Sequence, residues 1–261
     1  MDQVDPKRGV LTDVDGRRFG PYDLIVGADG ANSALRRTQA AWRPREHLYA
    51  SAAIVGIVEL DAARLPANLQ QFFSATHHVS FWPVAAADAA GRARMSVAIN
   101  VPRVRLAEGN AHALWEAHIE AVPAARRPWS TAQSAAARVH AFSYRSVQLR
   151  SYAVGKLVLI GDAAHATSPQ LGHGVTMALE DAACLARCMH VRSATNVVGA
   201  LASYQRERVA RLRRYQRLSR LATPLFQSDS RSLAWLRDHL LLPLTALGPV
   251  QRRMVNVLHA G

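Results

Sequence analysis

The sequence predicts a mixed fold of the α/β (α+β) kind, on three observations. An apolar run, Leu157 to Ile160, ends in Gly161-Asp162 and leads into a glycine-bounded helix start. Segments rich in β-branched and apolar residues crowd positions 49–101, with turn residues between them. Everything past Asn196 has helical spacing. The 261 residues, 49% hydrophobic and 20% charged, match a folded chain with room for one large or two ordinary domains and exclude general disorder.

Near the start, Val10 to Val14 reads as a strand entering a turn at Asp15-Gly16, because Asp-Gly supplies the backbone angles of a tight hairpin. Tyr22 to Gly27 reads as a short buried strand, and Ala34 to Arg37 as a helical turn. Tyr49–Leu60, Val79–Trp82 and Met95–Ile99 predict an antiparallel sheet with loops at Pro66, Pro83 and Gly91. Ala111 to Val122 has the i, i+3, i+4 spacing of a helix, and Val139 to Leu149 reads as another strand. The Leu157–Gly161 strand lacks alternation, as strands buried in parallel sheets do. A helix follows the glycines, its apolar positions running from Val175 to Met189. The C-terminal helices are broken at Pro243 and Pro249.

The chain carries 32 Lys plus Arg against 19 Asp plus Glu, a formal +13 that suits an anionic partner: a nucleotide cofactor, a membrane surface or nucleic acid. No helix-turn-helix, zinc-finger or RNA-binding signature accompanies it, so nucleic acid is the weakest of the three. Cys184 and Cys188 lack a second pair for a zinc site and read as buried small hydrophobes, so no metal is expected. The first residues have neither the basic nor the apolar region of a secretory signal, and no apolar run has the length of a membrane span. The expected location is the cytoplasm. The seven arginines between Arg206 and Arg220, with the apolar Leu233–Leu242 stretch, suggest peripheral contact with the inner membrane face.

A buried strand ending in Gly161-Asp162, then small residues and glycines at a helix start, is a layout for holding a polar ligand at a strand's carboxyl end. Asp162 can accept hydrogen bonds from sugar-alcohol hydroxyls. Gly172 and Gly174 turn the chain tightly, and the helix N-terminus behind them favours negative charge.

Gly161-Asp162-Ala163-Ala164-His165, with Pro169, Gly172, Gly174 and Glu180-Asp181-Ala182, resembles the "GD" motif of the single-component FAD-dependent aromatic hydroxylases. Gly27-Ala28-Asp29-Gly30-Ala31-Asn32-Ser33, continuing to Arg36, resembles their "DG" motif. The resemblance covers essentially the whole chain. It implies that residues 1–45 and 151–195 are the remaining parts of a Rossmann-like FAD/NAD(P)-binding domain, that 46–150 form an inserted substrate-binding sheet domain, and that 196–261 form a C-terminal helical region. It further implies that Asp162 hydrogen-bonds the ribityl chain of FAD and that the loop from Pro169 through His173 to Gly174 lies along the isoalloxazine. Asp29 and Gly30 would organise the pyrophosphate cleft, with Arg36 as their electrostatic partner. His173 stands where the family often has Gln, and His165 reads as structural. Substrate contacts would come from the sheet, including Phe72, Phe73, Phe81 and Trp82.

The family's opening strand and Gly-x-Gly-x-x-Gly turn do not occur here. A segment on the order of a hundred residues, enough for several βαβ units, is therefore expected to be lacking through truncation, a mis-called start or divergence. Flavin carries the oxygen chemistry in this family, so no catalytic acid or base is nominated. The expected activity is hydroxylation of an aromatic, quinone-like or polyene substrate with FAD, NAD(P)H and O2. The alternative is a non-catalytic relic that binds a hydrophobic ligand or a protein partner.

Overall fold

The computed structural model describes residues 3–64, 66–74, 76–85, 87–130, 138–191, 196–228 and 230–259. The N-terminal elements are strands β1 (Gln3–Asp5), β2 (Val10–Thr12), β3 (Arg18–Phe19) and β4 (Ile25–Gly27), then helix α1 (Ala34–Thr38). Strands β5 (Arg45–Asp61), β6 (Gln70–Phe73), β7 (His78–Ala85) and β8 (Arg92–Pro102) follow, with helices α2 (Arg105–Glu108), α3 (Ala111–Glu120) and α4 (Pro123–Ser130). Strands β9 (Val139–Gln148), β10 (Ala153–Val154) and β11 (Leu157–Leu159) lead to α5 (Asp162–His165), α6 (Gly174–Val191) and α7 (Val197–Phe226). The last elements are α8 (Arg231–Leu236), a π-helical stretch Arg237–Leu241, α9 (Leu242–Thr245) and α10 (Gly248–His259).

The chain forms two compact units. One comprises Met1–Leu48, Arg145–Ala222 and Leu258–Gly261, the other Tyr49–Tyr144 and Thr223–Val257. The chain passes between them inside β5, inside β9, inside α7 and inside α10, so each passage lies within a regular element. Residues 196–261, expected as one helical region, are divided between the units.

In the first unit β1, β2 and β3 form an antiparallel sheet, and the Asp13 carboxylate closes its turn by accepting the N–H groups of Asp15 and Arg17. A second sheet has the order β10-β11-β4, with β11 parallel to β4. Leu157, Val158 and Leu159 are fully buried, which is why that strand carries no polar alternation. Gly27 of β4 lies so close to this strand that a Cβ would stand 2.4 Å from Leu159 Cδ2. Trp42, Tyr152, Tyr204 and Leu212 complete the same core.

The second unit is built on a five-stranded sheet of order β6-β7-β8-β5-β9. The pairing of β5 with β8 runs unbroken from Ser51↔Pro102 to Asp61↔Arg92. Trp115 of α3 is buried against Gly56 of β5, where a Cβ would come within 2.8 Å of the indole, and its Nε1–H donates to the Val97 carbonyl at 3.1 Å. Pro83, expected in a loop, lies inside β7 at a register shift. Among the described pairings β6 reaches only as far as Phe81, so Pro83 lies where β7 has become an edge strand, and prolines are tolerated at edges and bulges. Pro243 and Pro249 do not merely interrupt helices. Pro249 sits in the first turn of α10, where a proline costs no intrahelical bond, and Pro243 follows the π-helical stretch within one continuous helical run.

Candidate functional site

At the carboxyl end of β11 the chain turns at Gly161, whose φ of +57° is in the left-handed region. A Cβ there would also crowd Ala178 of α6 at 3.1 Å, so the glycine serves both the turn and the close approach of α6. A cavity of about 510 Å³ opens beside this turn. Gly30, Gly161, Asp162, Pro169, Gly172 and Gly174 all line it. Gly30, Gly172 and Gly174 have no atom within 4 Å of the position a Cβ would take, so a ligand can reach their backbone. The Asp162 residue is exposed, and the first turn of α6 contains no acidic residue to offset its N-terminal dipole.

A buried ionic cluster holds this turn from behind. Asp181 of α6 is fully buried and accepts the Gly161 N–H at 3.0 Å. Its other contacts are His165 Nε2 at 2.5 Å and Arg208 Nε at 2.7 Å. Burial pushes the Asp181 carboxyl up, but His165, the Gly161 N–H and Arg208 outweigh it and hold the group below the ordinary carboxylate range. Arg208 also binds Glu180 at 2.9 Å and the Met177 carbonyl at 3.1 Å. Gln216 and Ser219, further along α7, bond to the carbonyls of Val147 and Ser168. His165 is thus structural, as the sequence suggested.

Arg208 is the residue that the sequence reading missed, having been counted among seven alike. Its signal was its phase. Leu201, Tyr204, Arg208, Leu212, Tyr215 and Ser219 recur at steps of three and four and are the buried stripe of α7, so an arginine in that register points inward. Arg206, Arg213, Arg214, Arg217 and Arg220 are exposed, in line with the expectation that several face solvent.

Three of the nominated residues stand near the cavity without lining it. Asp29 accepts the Leu35 N–H at 3.0 Å; burial raises its carboxyl, and the Ser33 hydroxyl and Leu35 N–H outweigh that and lower it. Arg36 is 1% exposed, with Nε on Glu46 at 2.7 Å, one terminal nitrogen on the Ala163 carbonyl at 2.7 Å and the other on the Ala31 carbonyl at 2.6 Å. It clamps the Gly30 loop to α5. His173 donates its N–H to the Tyr215 hydroxyl at 3.1 Å, and its Nδ1 lies 2.9 Å from the Leu171 carbonyl.

Cys184 and Cys188 are buried on one face of α6, and their thiols donate to the Glu207 carboxylate at 3.5 and 3.7 Å. Burial and the neighbouring groups push the Cys184 thiol up to about 12. Among the described residues this trio alone has the ligand spacing of a metal site, but the Arg187 guanidinium already supplies a cation to Glu207 there. In the sheet unit, Phe81 is wholly buried with Phe72 edge-on to it at 5.9 Å, while Phe73 stacks on His78 at 4.3 Å.

The chain resembles several characterised proteins. It is 29% identical over 200 residues to the FAD-dependent urate hydroxylase of Klebsiella pneumoniae, covering 73% of this chain and 49% of that protein. It is 32% identical over 171 residues to 3-amino-4-hydroxybenzoate 2-monooxygenase of Streptomyces cremeus, covering 65% of this chain and 42% of the other. The chain therefore spans about half the length of the curated relatives it matches. The crystal structure of Klebsiella pneumoniae HpxO with FAD and uric acid shares the fold, with a TM-score of 0.73 at 22% identity over 95% of this chain and 61% of that one. Residues 8–219, which include the Asp29 loop, the Asp162 turn and the Asp181–Arg208 cluster, match the profile of the FAD binding domain. A chain with that match over most of its length, and with a glycine-lined cavity at the end of its parallel strand, belongs to the FAD binding domain family of flavoprotein aromatic hydroxylases.

Proposed function

We propose that this chain contributes the flavin-contacting and substrate-contacting parts of an FAD-dependent monooxygenase that hydroxylates a small aromatic compound. The observation that carries the reading is the cavity at Gly161-Asp162, where an exposed carboxylate, open glycine backbone and a helix N-terminus converge. These residues fit a flavin. Asp162 accepts hydroxyl donors of the ribityl chain, and the Pro169–Gly174 backbone gives a planar ring close approach. The α6 N-terminus favours negative charge on the reduced ring. Asp29 and Arg36 order the loop that carries Gly30 toward the pyrophosphate. FAD, reduced by NAD(P)H, supplies the oxygen-transfer chemistry, and the chain's own residues bind, orient and exclude water. The relatives that act on urate and 3-amino-4-hydroxybenzoate support an aromatic substrate.

The test is a titration of the purified chain with FAD, followed by flavin fluorescence. Asp162→Ala is expected to weaken binding roughly ten- to a hundredfold, the worth of about 1.5–3 kcal/mol for a hydrogen bond to a charged group. Unchanged affinity would reduce Asp162 to a helix-capping role. A chain that binds no flavin at millimolar concentration would favour the non-catalytic relic.

One observation supports a second, compatible property. Trp235, Leu240, Leu242, Leu244 and Leu247 all lie exposed within one thirteen-residue stretch of the second unit. Among the described residues no helix is long and apolar enough to cross a membrane. A peripheral contact is the reading such a stretch supports, with arginine attracted to acidic headgroups. Co-sedimentation with anionic vesicles should retain the protein at low salt and release it as salt rises. No retention at low salt would end the idea.

A further inference from the structure

Two thiols and a carboxylate come together where α6 meets α7. Cys184 and Cys188 stand four positions apart on α6 and so share one face of the helix. Glu207 of α7 is turned onto that face, with Oε2 3.5 Å from Cys184 Sγ and Oε1 3.7 Å from Cys188 Sγ. One ligand atom from each of the three lies within 4.8 Å of the other two. Cys188 and Glu207 also line a cavity of about 290 Å³, together with Arg187, Ser203 and Arg206. The Glu207 side chain is 48% exposed, whereas both cysteines are buried, so the trio is open at its carboxylate and closed behind its sulfurs.

Core packing explains two small buried side chains but not a carboxylate turned onto both of them. A disulfide does not fit either. Residues four apart on a helix hold their Cβ atoms about 5–6 Å from one another, and a disulfide needs about 3.5–4.5 Å. An ion shared by the sulfurs does fit. A tetrahedral Zn2+, about 2.3 Å from sulfur and about 2.0–2.2 Å from a carboxylate oxygen, keeps the two ligand atoms about 3.5 Å apart. The separations of 3.5 and 3.7 Å stand at or just beyond that value. A positive group already reaches this place, because a terminal nitrogen of Arg187 bonds to Glu207 and lies 3.6 Å from Cys184 Sγ. That side chain is 59% exposed and can swing out into solvent.

We propose that Cys184, Cys188 and Glu207 bind a thiophilic divalent cation of the Zn2+ class, with water from the cavity in the fourth position. The ion enters past the exposed carboxylate and displaces the Arg187 guanidinium. Binding exchanges two thiol protons, which pass to solvent, for one cation held by two thiolates and one carboxylate. The resulting complex is net anionic, and Arg187 becomes its outer counter-ion. Soft thiolate ligands select such an ion over Mg2+ or Ca2+. The spacing of the cysteines alone gave no metal, because the third ligand comes from another helix, 19 positions on from Cys188. The bound ion ties α6 to α7, and the proposal does not rest on the flavin reading.

The experiment titrates Co2+ into the full chain, kept reduced, and follows its absorption spectrum. Cys184 and Cys188 are the only two cysteines of the chain, so a thiolate-to-cobalt charge-transfer band reports this site whatever the 11 histidines bind. One Co2+ per chain, with the visible absorption of a tetrahedral ion, is expected. Zn2+ should abolish the spectrum, because such a site holds it more tightly than Co2+. Affinity should rise with pH, since both thiols must lose their protons. Glu207→Gln should weaken binding by at least about tenfold, the lower bound for losing even an outer-shell partner, while the band remains. Cys188→Ser should weaken it further and diminish the band. Should the serine variant fail to fold, the glutamine variant, altered at a half-exposed position, still decides. No thiolate band, an octahedral cobalt spectrum, or binding by Glu207→Gln as tight as by wild type would each overturn the proposal.

Discussion

Asp181→Ala is expected to destabilise the chain by about 3–5 kcal/mol, the range for removing one partner of a buried ion pair. The loss leaves Arg208, only 5% exposed, with Glu180 as its one remaining carboxylate, and frees His165 and the Gly161 N–H together. Urea denaturation at pH 7 would measure it, and a cost below about 1 kcal/mol would show that the cluster relaxes around its missing centre. The pH dependence has a defined sign. The Asp181 carboxyl is lowered from 3.8 in the folded chain, so its stabilisation is complete above the ordinary carboxylate range and is lost as pH falls through the lower folded value. The gap between wild type and Asp181→Asn should therefore be widest near neutrality and close in strong acid.

The second large effect is expected at Arg36, although it lines no cavity. Arg36→Ala leaves the Ala31 and Ala163 carbonyls without their donor, at about 1–3 kcal/mol for each group that stays buried and unpaired. Glu46 suffers less, because it keeps Arg145 at 2.7 Å. Arg36→Lys should recover only part of the loss, since one ammonium cannot span three acceptors as the guanidinium fork does. Ala163 directly follows Asp162, so the same variant should also weaken FAD binding. A destabilised Arg36→Ala chain with undiminished FAD affinity would show that the clamp supports the fold alone.

Much of the first unit was legible in the sequence because its signals are local. Leu157 to Gly161 declares a buried strand by the absence of polar residues, and Gly172 and Gly174 mark the helix start by the conformations they permit. What escaped was set by distant partners. Arg36 was named, but the Ala163 carbonyl that it meets lies 127 positions away, and Arg208 meets a carboxylate 27 positions away. Nothing beside either arginine in the chain announces those partners. The second unit has a cavity of its own, assembled from residues near 51, 78, 100 and 227, a combination with no spacing to read. Phe81 illustrates the converse, an aromatic that the motif context made attractive and that burial assigns to the core.

The way the chain passes between its units inside β5, β9, α7 and α10 has a consequence at the level of the gene. Neither unit is encoded by one uninterrupted stretch of codons, so a hybrid that borrows the sheet unit from a relative needs paired junctions around two separate inserts. Every junction falls in a strand or a helix rather than in a tolerant loop. In β5 or β9 an insertion or deletion of one codon would turn every following side chain to the opposite face of the sheet. In α7 it would change the phase of the residues that follow, buried Thr223 first among them, by about 100°. Recombination libraries built on this chain should therefore recover functional hybrids only where parental lengths agree to the residue at each junction.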